Sequence, residues 1–153
     1  MHVTLSEELE LKVPTSKAWA LFSTKKYKNA LIEEKFFEAS EFVEGDGGTG
    51  TLEKVTVKGS EFAYYKYTLV DNMNKVKEVK LVEGGLLDHG FNYYKSKEEI
   101  KENPNDETGS SCIFKLTRDY EVKDEFATNT SLVTNVSLAV IVNVMNKHLF
   151  KSN

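Results

Sequence analysis

The sequence predicts an α+β fold in which a curved antiparallel sheet wraps around one long C-terminal helix. Two observations carry this prediction. Most of the chain alternates apolar and polar residues in runs separated by short turns, which is typical of strands joined by hairpins. In residues 124–150, apolar side chains instead recur at steps of three and four, the spacing of one helix face.

The first elements are a strand and two short helices. Apolar residues at positions 3, 5, 9, 11 and 13 predict a half-buried strand that ends at Pro14. A helix is predicted over 17–23, with Trp19 and Phe22 on one side and Thr15 or Ser16 as its cap. A second short helix is predicted over about 26–34.

Six further strands follow the helices. They are predicted at about 35–44, 50–57, 61–70, 75–82 and 86–95, with the last one marked by apolar residues between Cys112 and Val122. Residues 96–109 are charged and polar and predict a long exposed turn. The lysine- and glutamate-rich run 95–102 is interpreted as a solvated hairpin tip. Because every connection after the helices resembles a hairpin, the sheet should be antiparallel.

The C-terminal segment allows two interpretations. Its β-branched residues, among them Val140, Ile141 and Val142, could form a buried strand. Its periodicity, however, persists for nearly twice the roughly 10 residues that strands seldom exceed. Length therefore favours a helix over 124–150.

The chain length indicates one domain spanning 1–153. The charge balance is mildly acidic, with 24 acidic and 20 basic residues. No basic stripe suggests a nucleic-acid partner, and no continuous apolar run is long enough to cross a membrane. The N-terminus does not resemble a signal peptide, so a cytoplasmic location is expected. Cys112 is the one cysteine and the three histidines lack ligand spacing, so we expect neither a metal site nor a cofactor.

A glycine-rich loop, EGDGGTGTL at 44–52, lies between two predicted strands. Gly45, Gly47 and Gly50, with Gly48 between them, satisfy the G-x-G-x-x-G pattern of dinucleotide sites. That pattern binds a pyrophosphate when a helix follows the last glycine. Here a β-branched run follows, so a strand–loop–strand hairpin is predicted instead.

The predicted architecture also suggests a hollow interior. A strongly curved sheet that grips one helix can leave the enclosed volume unfilled. Such an interior would bind a small molecule. This is the physical basis on which we expect a ligand-binding function.

Three segments are similar to one plant family. They are EGDGGTGTL at 44–52, VEGGLLDHGFNYYKS at 82–96 and the C-terminal helix. With these the chain resembles the plant pathogenesis-related class ten proteins, the family of the major birch-pollen allergen. Trp19, within SKAWALFS, resembles the branch of cytokinin-specific (phytohormone) binding proteins and norcoclaurine synthases.

The resemblance implies a helix-grip fold, with seven antiparallel strands, two short helices and a long C-terminal helix over a large apolar cavity. It also implies a small amphipathic metabolite as the partner, such as a phytohormone, a flavonoid or an alkaloid precursor. The expected oligomeric state is a monomer or a weak homodimer.

Norcoclaurine synthases condense dopamine with an aldehyde, and the resemblance assigns that chemistry to particular positions. A lysine handles protons on the carbinolamine, and carboxylates accept protons from the substrate. Lys77 occupies the lysine position, but Ala63, Tyr65 and Ser96 stand where the family has a tyrosine, a glutamate and an aspartate. A related reaction would have to use Lys77 with Tyr65, Tyr67 or Asp88.

The predicted site combines these positions with the faces expected to point inward. Tyr65, Tyr67 and Leu69 share one face of their strand, although tyrosines in a strand often serve sheet packing alone. Lys77 is either a partly desolvated functional lysine or one that reaches the cavity mouth or pairs with an acid. The predicted ligand-binding residues are Tyr65, Tyr67, Leu69, Lys77, Val79, Leu81, Asp88, Phe91, Tyr93, Leu132, Val136, Ala139, Val140 and Asn143, with Lys77 and Tyr65 also as catalytic candidates.

Three functional hypotheses follow. The first is a carrier or receptor for a small amphipathic metabolite. The second is a norcoclaurine synthase-like enzyme of alkaloid biosynthesis that uses Lys77 with altered partners. The third is a plant defence or storage protein whose cavity is incidental.

Overall fold

Seven strands form one antiparallel sheet within residues 1–134 and 138–151, the part of the chain that the structure, a computed structural model, describes. The strands are β1 (His2–Leu11), β2 (Ala39–Glu44), β3 (Leu52–Lys58), β4 (Glu61–Asp71), β5 (Val76–Gly84), β6 (Phe91–Glu102) and β7 (Cys112–Val122). The helices are α1 (Thr15–Phe22), α2 (Lys25–Glu33), α3 (Ser131–Thr134) and α4 (Leu138–Lys151). The strand order β1-β7-β6-β5-β4-β3-β2 places β1 and β2 at opposite edges, so α1 and α2 carry the chain across the sheet. The predicted fold class is confirmed.

The main core lies between the sheet and the helices. Phe22 of α1 packs edge-to-face on Phe114 of β7, with ring centroids 5.1 Å apart. Leu138 and Met145 of α4 are fully buried in the same cluster. Register shifts interrupt four of the six strand pairings among the described residues, and such bulges increase the twist that bends a sheet. The helices therefore pack against the concave side of the sheet.

The glycine-rich loop is a hairpin, as predicted. β3 follows its last glycine, so no helix N-terminus is available there to hold a phosphate. Gly45 has a φ of +84°, and a Cβ at this position would lie 2.9 Å from the Cα of Thr51. The turn therefore requires glycine for its geometry.

The C-terminal segment is helical where it is described, which confirms the preference for a helix over a strand. A 3₁₀ segment at Asp124–Thr130, kinked at Phe126, precedes α3, so the α-helical part begins later than residue 124. By length and apolar composition the segment Asp124–Leu149 could cross a membrane, but the buried core helix of a globular protein meets the same criterion.

β6 differs most from its prediction. It begins at Phe91, because Gly85–His89 forms a one-turn 3₁₀ helix, and it continues to Glu102 in register with β7. The predicted exposed turn at 96–109 was therefore wrong for residues 96–102, and the predicted solvated tip at 95–102 was wrong, because these residues belong to β6. The physical reason is that the inward positions of this strand include polar residues as well as the buried Ile100, which hides the apolar alternation.

Candidate functional site

A small cavity lies between the concave face of the sheet and helices α2 and α4. Its volume is about 120 Å³, below the roughly 300 Å³ at which sites for drug-sized ligands begin. Leu31, Leu116 and Ile141 form part of its wall. The described part of its lining also contains five charged side chains, Lys28, Glu53, Lys77, Glu98 and Arg118. The interior is thus smaller and more polar than the large apolar cavity that the resemblance implied.

Lys77 is a buried cation of this group. It is 6% exposed, and its Nζ lies 4.2 Å from the ring centroid of Tyr67 and 5.3 Å from that of Phe22. Burial lowers the pKa of Lys77 to about 8, Glu98 and Glu53 partly oppose this change, and Lys28 adds to it. Lys77 can therefore gain or lose a proton near neutral pH.

Glu53 is a fully buried carboxylate on β3. Its Oε1 accepts a hydrogen bond of 3.0 Å from the Tyr67 hydroxyl and lies 3.5 Å from Lys28 Nζ. Its Oε2 accepts a hydrogen bond from Ser40 Oγ. Burial alone would raise the pKa of Glu53, but Lys28, the Ser40 hydrogen bond, Lys77 and the Tyr67 hydrogen bond together hold it below its ordinary value. Glu53 therefore stays ionised.

Glu98 is the second carboxylate of the cavity and sits on β6. It is the direct partner of Lys77 in the β5–β6 ladder, so the two side chains leave the sheet on the same face. Its Oε1 accepts a hydrogen bond of 3.3 Å from Ser96 Oγ, and its buried Oε2 has no hydrogen-bond partner among the described residues. Burial raises the pKa of Glu98, against the opposing charges of Lys77 and Lys28.

Four tyrosines of the described chain complete the polar lining, namely Tyr27, Tyr65, Tyr67 and Tyr94. Burial raises the pKa of every one of these phenols, that of Tyr94 to about 12. All four therefore remain protonated at neutral pH and act as hydrogen-bond donors. Tyr65 is excluded as a base there.

Several predicted site residues do meet in this cavity. Tyr65, Tyr67, Lys77 and Val79 line it, and Leu81 is buried opposite Tyr65 in the β4–β5 ladder. Of the two alternatives for Lys77, the structure shows the desolvated side chain. The charges of Glu98 and Glu53 also act on its pKa. Ser96 also lines the cavity, at the position where the resemblance expected an aspartate.

Bulges turn two other predicted residues away. In β4, a register shift between Tyr67 and Leu69 pairs Leu69 with the outward Glu78, so Val70 packs against the core instead. In β6, a shift after Phe91 sends Tyr93 to the outer face, where its hydroxyl donates to Asp119. The predictions that Leu69 and Tyr93 face inward were wrong for this reason.

Three further predicted residues outside α4 have different outcomes. Phe91 is buried, as expected of a wall residue, but it packs on Tyr120 with ring centroids 5.6 Å apart, outside the cavity lining. Asp88 is exposed in the one-turn helix Gly85–His89, so it does not join Lys77. Leu132 is exposed on α3.

The predicted inner face of the C-terminal helix was also wrong where it is described. Ala139 and Asn143 are exposed and Val140 is half-buried, while Val136 lies outside the described residues. Ile141 reaches the cavity instead. The inward face of α4 therefore differs from the predicted one and consists of Leu138, Ile141, Val142, Val144, Met145 and Leu149.

Sequence reasoning missed Glu53 and Glu98. Alternation could have found both. Glu53 and Val55 share the inner face of β3 and follow the buried Thr51 at a spacing of two, and Ser96, Glu98 and Ile100 share the inner face of β6. Within the described residues, no group of three His, Cys, Asp or Glu side chains could hold a metal ion. The cavity instead brings together three cationic side chains, two carboxylates and four phenols, a set that includes a lysine and acids able to exchange protons.

Comparison with known proteins places this site in context. A family model described as the pathogenesis-related protein Bet v 1 family matches residues 1–152. The chain is 34% identical to a norbelladine synthase of Narcissus pseudonarcissus, over all of this chain and 96% of that protein. It is 32% identical to an S-norcoclaurine synthase of Thalictrum flavum subsp. glaucum, over 97% of this chain and 73% of that protein.

A solved structure shares the whole architecture. The norcoclaurine synthase of Thalictrum flavum in complex with dopamine and hydroxybenzaldehyde superimposes with a TM-score of 0.80 at 28% identity, over all of this chain and 89% of that one. The relatives thus include proteins named as synthases, and in one solved structure the protein holds dopamine together with hydroxybenzaldehyde.

Proposed function

We propose that this chain, which belongs to the pathogenesis-related protein Bet v 1 family, binds a small amphipathic aromatic metabolite around Lys77 and condenses an amine with an aldehyde there. The observation that carries the proposal is Lys77 itself, a buried ammonium whose pKa is lowered to about 8 beside two carboxylates. Such a perturbed group in a cavity is typical of catalytic sites.

The lining suits both reactants. An ammonium substrate would find carboxylates and the faces of aromatic rings, which attract cations. A phenolic or carbonyl oxygen would find protonated tyrosine hydroxyls, such as that of Tyr65, as donors. The apolar wall would hold the rings, and the small volume would exclude bulk water.

Lys77 would act as the general acid. Below about pH 8 it is protonated, so it can give a proton to the hydroxyl of the carbinolamine, which then leaves as water. An acid with a pKa close to the working pH combines the right protonation state with ready transfer. The proposal thus gives Lys77 the role that the resemblance assigned to the lysine position, although Ala63, Tyr65 and Ser96 differ from the family pattern.

Access to the cavity would run past Phe37. This side chain lines the cavity and also an open depression of about 640 Å³ at the surface, next to Lys35 and Lys58. The Nζ of Lys28 lies 5.1 Å from the Phe37 ring centroid, so one contact links this ring to the charged group. Rotation of Phe37 would join the two spaces and admit a substrate larger than 120 Å³.

The test is a condensation assay with dopamine and 4-hydroxybenzaldehyde. Borohydride quenching reduces the imine to a secondary amine, and mass spectrometry would quantify it together with any cyclised product. We expect turnover above the protein-free rate, loss of at least about 100-fold in Lys77→Met and no loss in Lys80→Met, whose exposed lysine lies on the same strand. Equal rates for Lys77→Met and the unaltered protein would refute the role of Lys77.

A carrier is the second candidate, because Ala63, Tyr65 and Ser96 lack the expected catalytic groups. It predicts saturable binding of cytokinins, flavonoids or aromatic amines by calorimetry, without turnover of any amine and aldehyde pair. Weak and unselective binding of all of them would instead favour a defence or storage protein.

A further inference from the structure

The two carboxylates beside Lys77 differ in what already occupies their oxygen atoms. Both oxygens of Glu53 accept hydrogen bonds, from Tyr67 and from Ser40, and Lys28 lies 3.5 Å from one of them. Glu98 receives one long hydrogen bond from Ser96, and its Oε2 is buried without a hydrogen-bond partner in the described structure. A buried carboxylate oxygen with no donor is costly unless a ligand or a proton uses it.

The surroundings also set the two groups apart electrostatically. The ionisable groups that act on Glu98 come from five elements, namely Lys28 and Tyr27 of α2, Tyr67 of β4, Lys77 of β5, Tyr94 of β6 and Arg118 of β7. Burial outweighs the cations and raises the pKa of Glu98, whereas the contacts of Glu53 lower its pKa. Carboxylates whose environments drive their pKa values apart usually have different tasks.

We propose that Glu98 is the catalytic base of the condensation, paired across the sheet with Lys77 as the acid, and that Glu53 is a fixed anion that positions Lys28 and Tyr67. The assignment rests on the proposed function. In the family pattern the proton-accepting carboxylates stand at the positions that Tyr65 and Ser96 occupy here. The assignment places this carboxylate at Glu98 on β6 instead.

The proton balance closes within this pair. The amine arrives as an ammonium ion, and the Glu98 carboxylate takes one proton from its nitrogen. The free amine then forms a C–N bond with the aldehyde carbon while the C=O π bond breaks, and transfer of a proton from nitrogen to oxygen gives the carbinolamine. Lys77 donates a proton to the carbinolamine hydroxyl, the C–O bond breaks, water leaves, and the nitrogen lone pair forms the C=N bond of the iminium ion.

One transfer restores both residues. Glu98 is now protonated and Lys77 is neutral, so the proton of Glu98 returns to Lys77. Their positions as direct partners in the β5–β6 ladder place the Cβ atoms about 5 Å apart, and one bridging water molecule would carry this transfer. The net reaction converts an ammonium ion and an aldehyde into an iminium ion and water.

The decisive experiment follows steady-state turnover of dopamine and 4-hydroxybenzaldehyde from pH 6.5 to 8.5 for the unaltered protein and Glu98→Gln. At pH 6.5 we expect kcat to fall by about 100-fold or more in Glu98→Gln, with KM changed less than about threefold. The deficit should shrink at least about tenfold by pH 8.5. The free-amine fraction of a substrate with a pKa near 10 rises about 100-fold over that range, so the solution supplies what Glu98 no longer does.

Three variants separate this role from a structural one. Glu98→Asp keeps a carboxylate and should retain part of the turnover with the pH profile of the unaltered protein. Glu53→Gln should lower thermal stability and reduce turnover by a factor that does not change with pH. Glu99→Gln, on the opposite face of the same strand and 3.6 Å from Lys97 in the unaltered protein, should match the unaltered protein.

The outcomes distinguish the two proposals. No turnover by the unaltered protein would overturn the proposed function and this assignment together. Turnover that Glu98→Gln retains within about threefold, or loses equally at every pH, would overturn the role of Glu98 as a base while leaving the condensation standing. If Glu98→Gln does not fold by circular dichroism, the Glu98→Asp profile decides, and a profile with an altered pH dependence refutes the assignment.

Discussion

Replacement of Lys77 by methionine should reveal how much the buried ammonium destabilises the folded state. The folded pKa of Lys77 is about 8, whereas a lysine in the unfolded chain titrates near 10.5. The difference corresponds to a cost of about 3 kcal/mol for keeping Lys77 charged in the interior at pH 7. Methionine has a similar length and fits between Phe22 and Tyr67 without a charge.

The sign of the pH effect follows from proton binding. Between about pH 8 and 10.5 the unfolded chain binds more protons at this residue than the folded chain, so this contribution to stability rises with pH. About 2 kcal/mol of the cost should disappear between pH 7 and 9.5. The stability of the unaltered protein relative to Lys77→Met should therefore increase by that amount across this interval.

Urea unfolding at pH 7, 8, 9 and 9.5 measures the effect as a difference between the two proteins, which cancels the titration of other groups to first order. Lys80→Met is the matched control, because its lysine is exposed on the opposite face of β5. It should show no comparable change with pH. Parallel pH curves for the unaltered protein and Lys77→Met would refute the claim that burial lowers the pKa of Lys77.

Three further predictions concern the surroundings of the site. Tyr67→Phe removes the hydroxyl that donates to Glu53, so it should lower the free energy of unfolding by about 1–2 kcal/mol. Urea titration measures this change, and an unchanged midpoint would contradict the importance of the hydrogen bond. Phe37→Ala should widen the path to the cavity and speed the binding of an environment-sensitive dye in stopped flow, and an unchanged association rate would place the path elsewhere. Gly45→Ala should cost more than about 1 kcal/mol, because φ is positive and the new Cβ would meet Thr51, and a melting temperature equal to that of the unaltered protein would disprove the strain.

Much of the fold could be predicted from the sequence because its signals are local. The alternation of residues 75–82 specifies a strand whichever partner it finds, and the three- and four-residue steps near Met145 specify a helix. Similarly, the strand-forming residues after Gly50 predict a hairpin and not a nucleotide-binding loop. Each of these decisions depends on neighbours within about ten residues.

The composition of the site depended on interactions that no local pattern records. A single bulge exchanges the faces of Leu69 and Val70, and another sends Tyr93 outward, because one extra residue inverts every later side chain of a strand. Glu98 looks like part of a solvated charge run in sequence, and it becomes half-buried, with its Oε2 fully buried, only because β6 continues beyond Lys95.

The sequence by itself determined the order of the elements and the curved antiparallel sheet, and its family resemblance singled out Lys77 as a candidate. Only the tertiary structure decided that Glu53 and Glu98 converge on that lysine in a small polar cavity. Side-chain periodicity specifies which element forms, but the face and depth of each residue are set by strand register, bulges and helix rotation. These depend on packing between segments far apart in the chain.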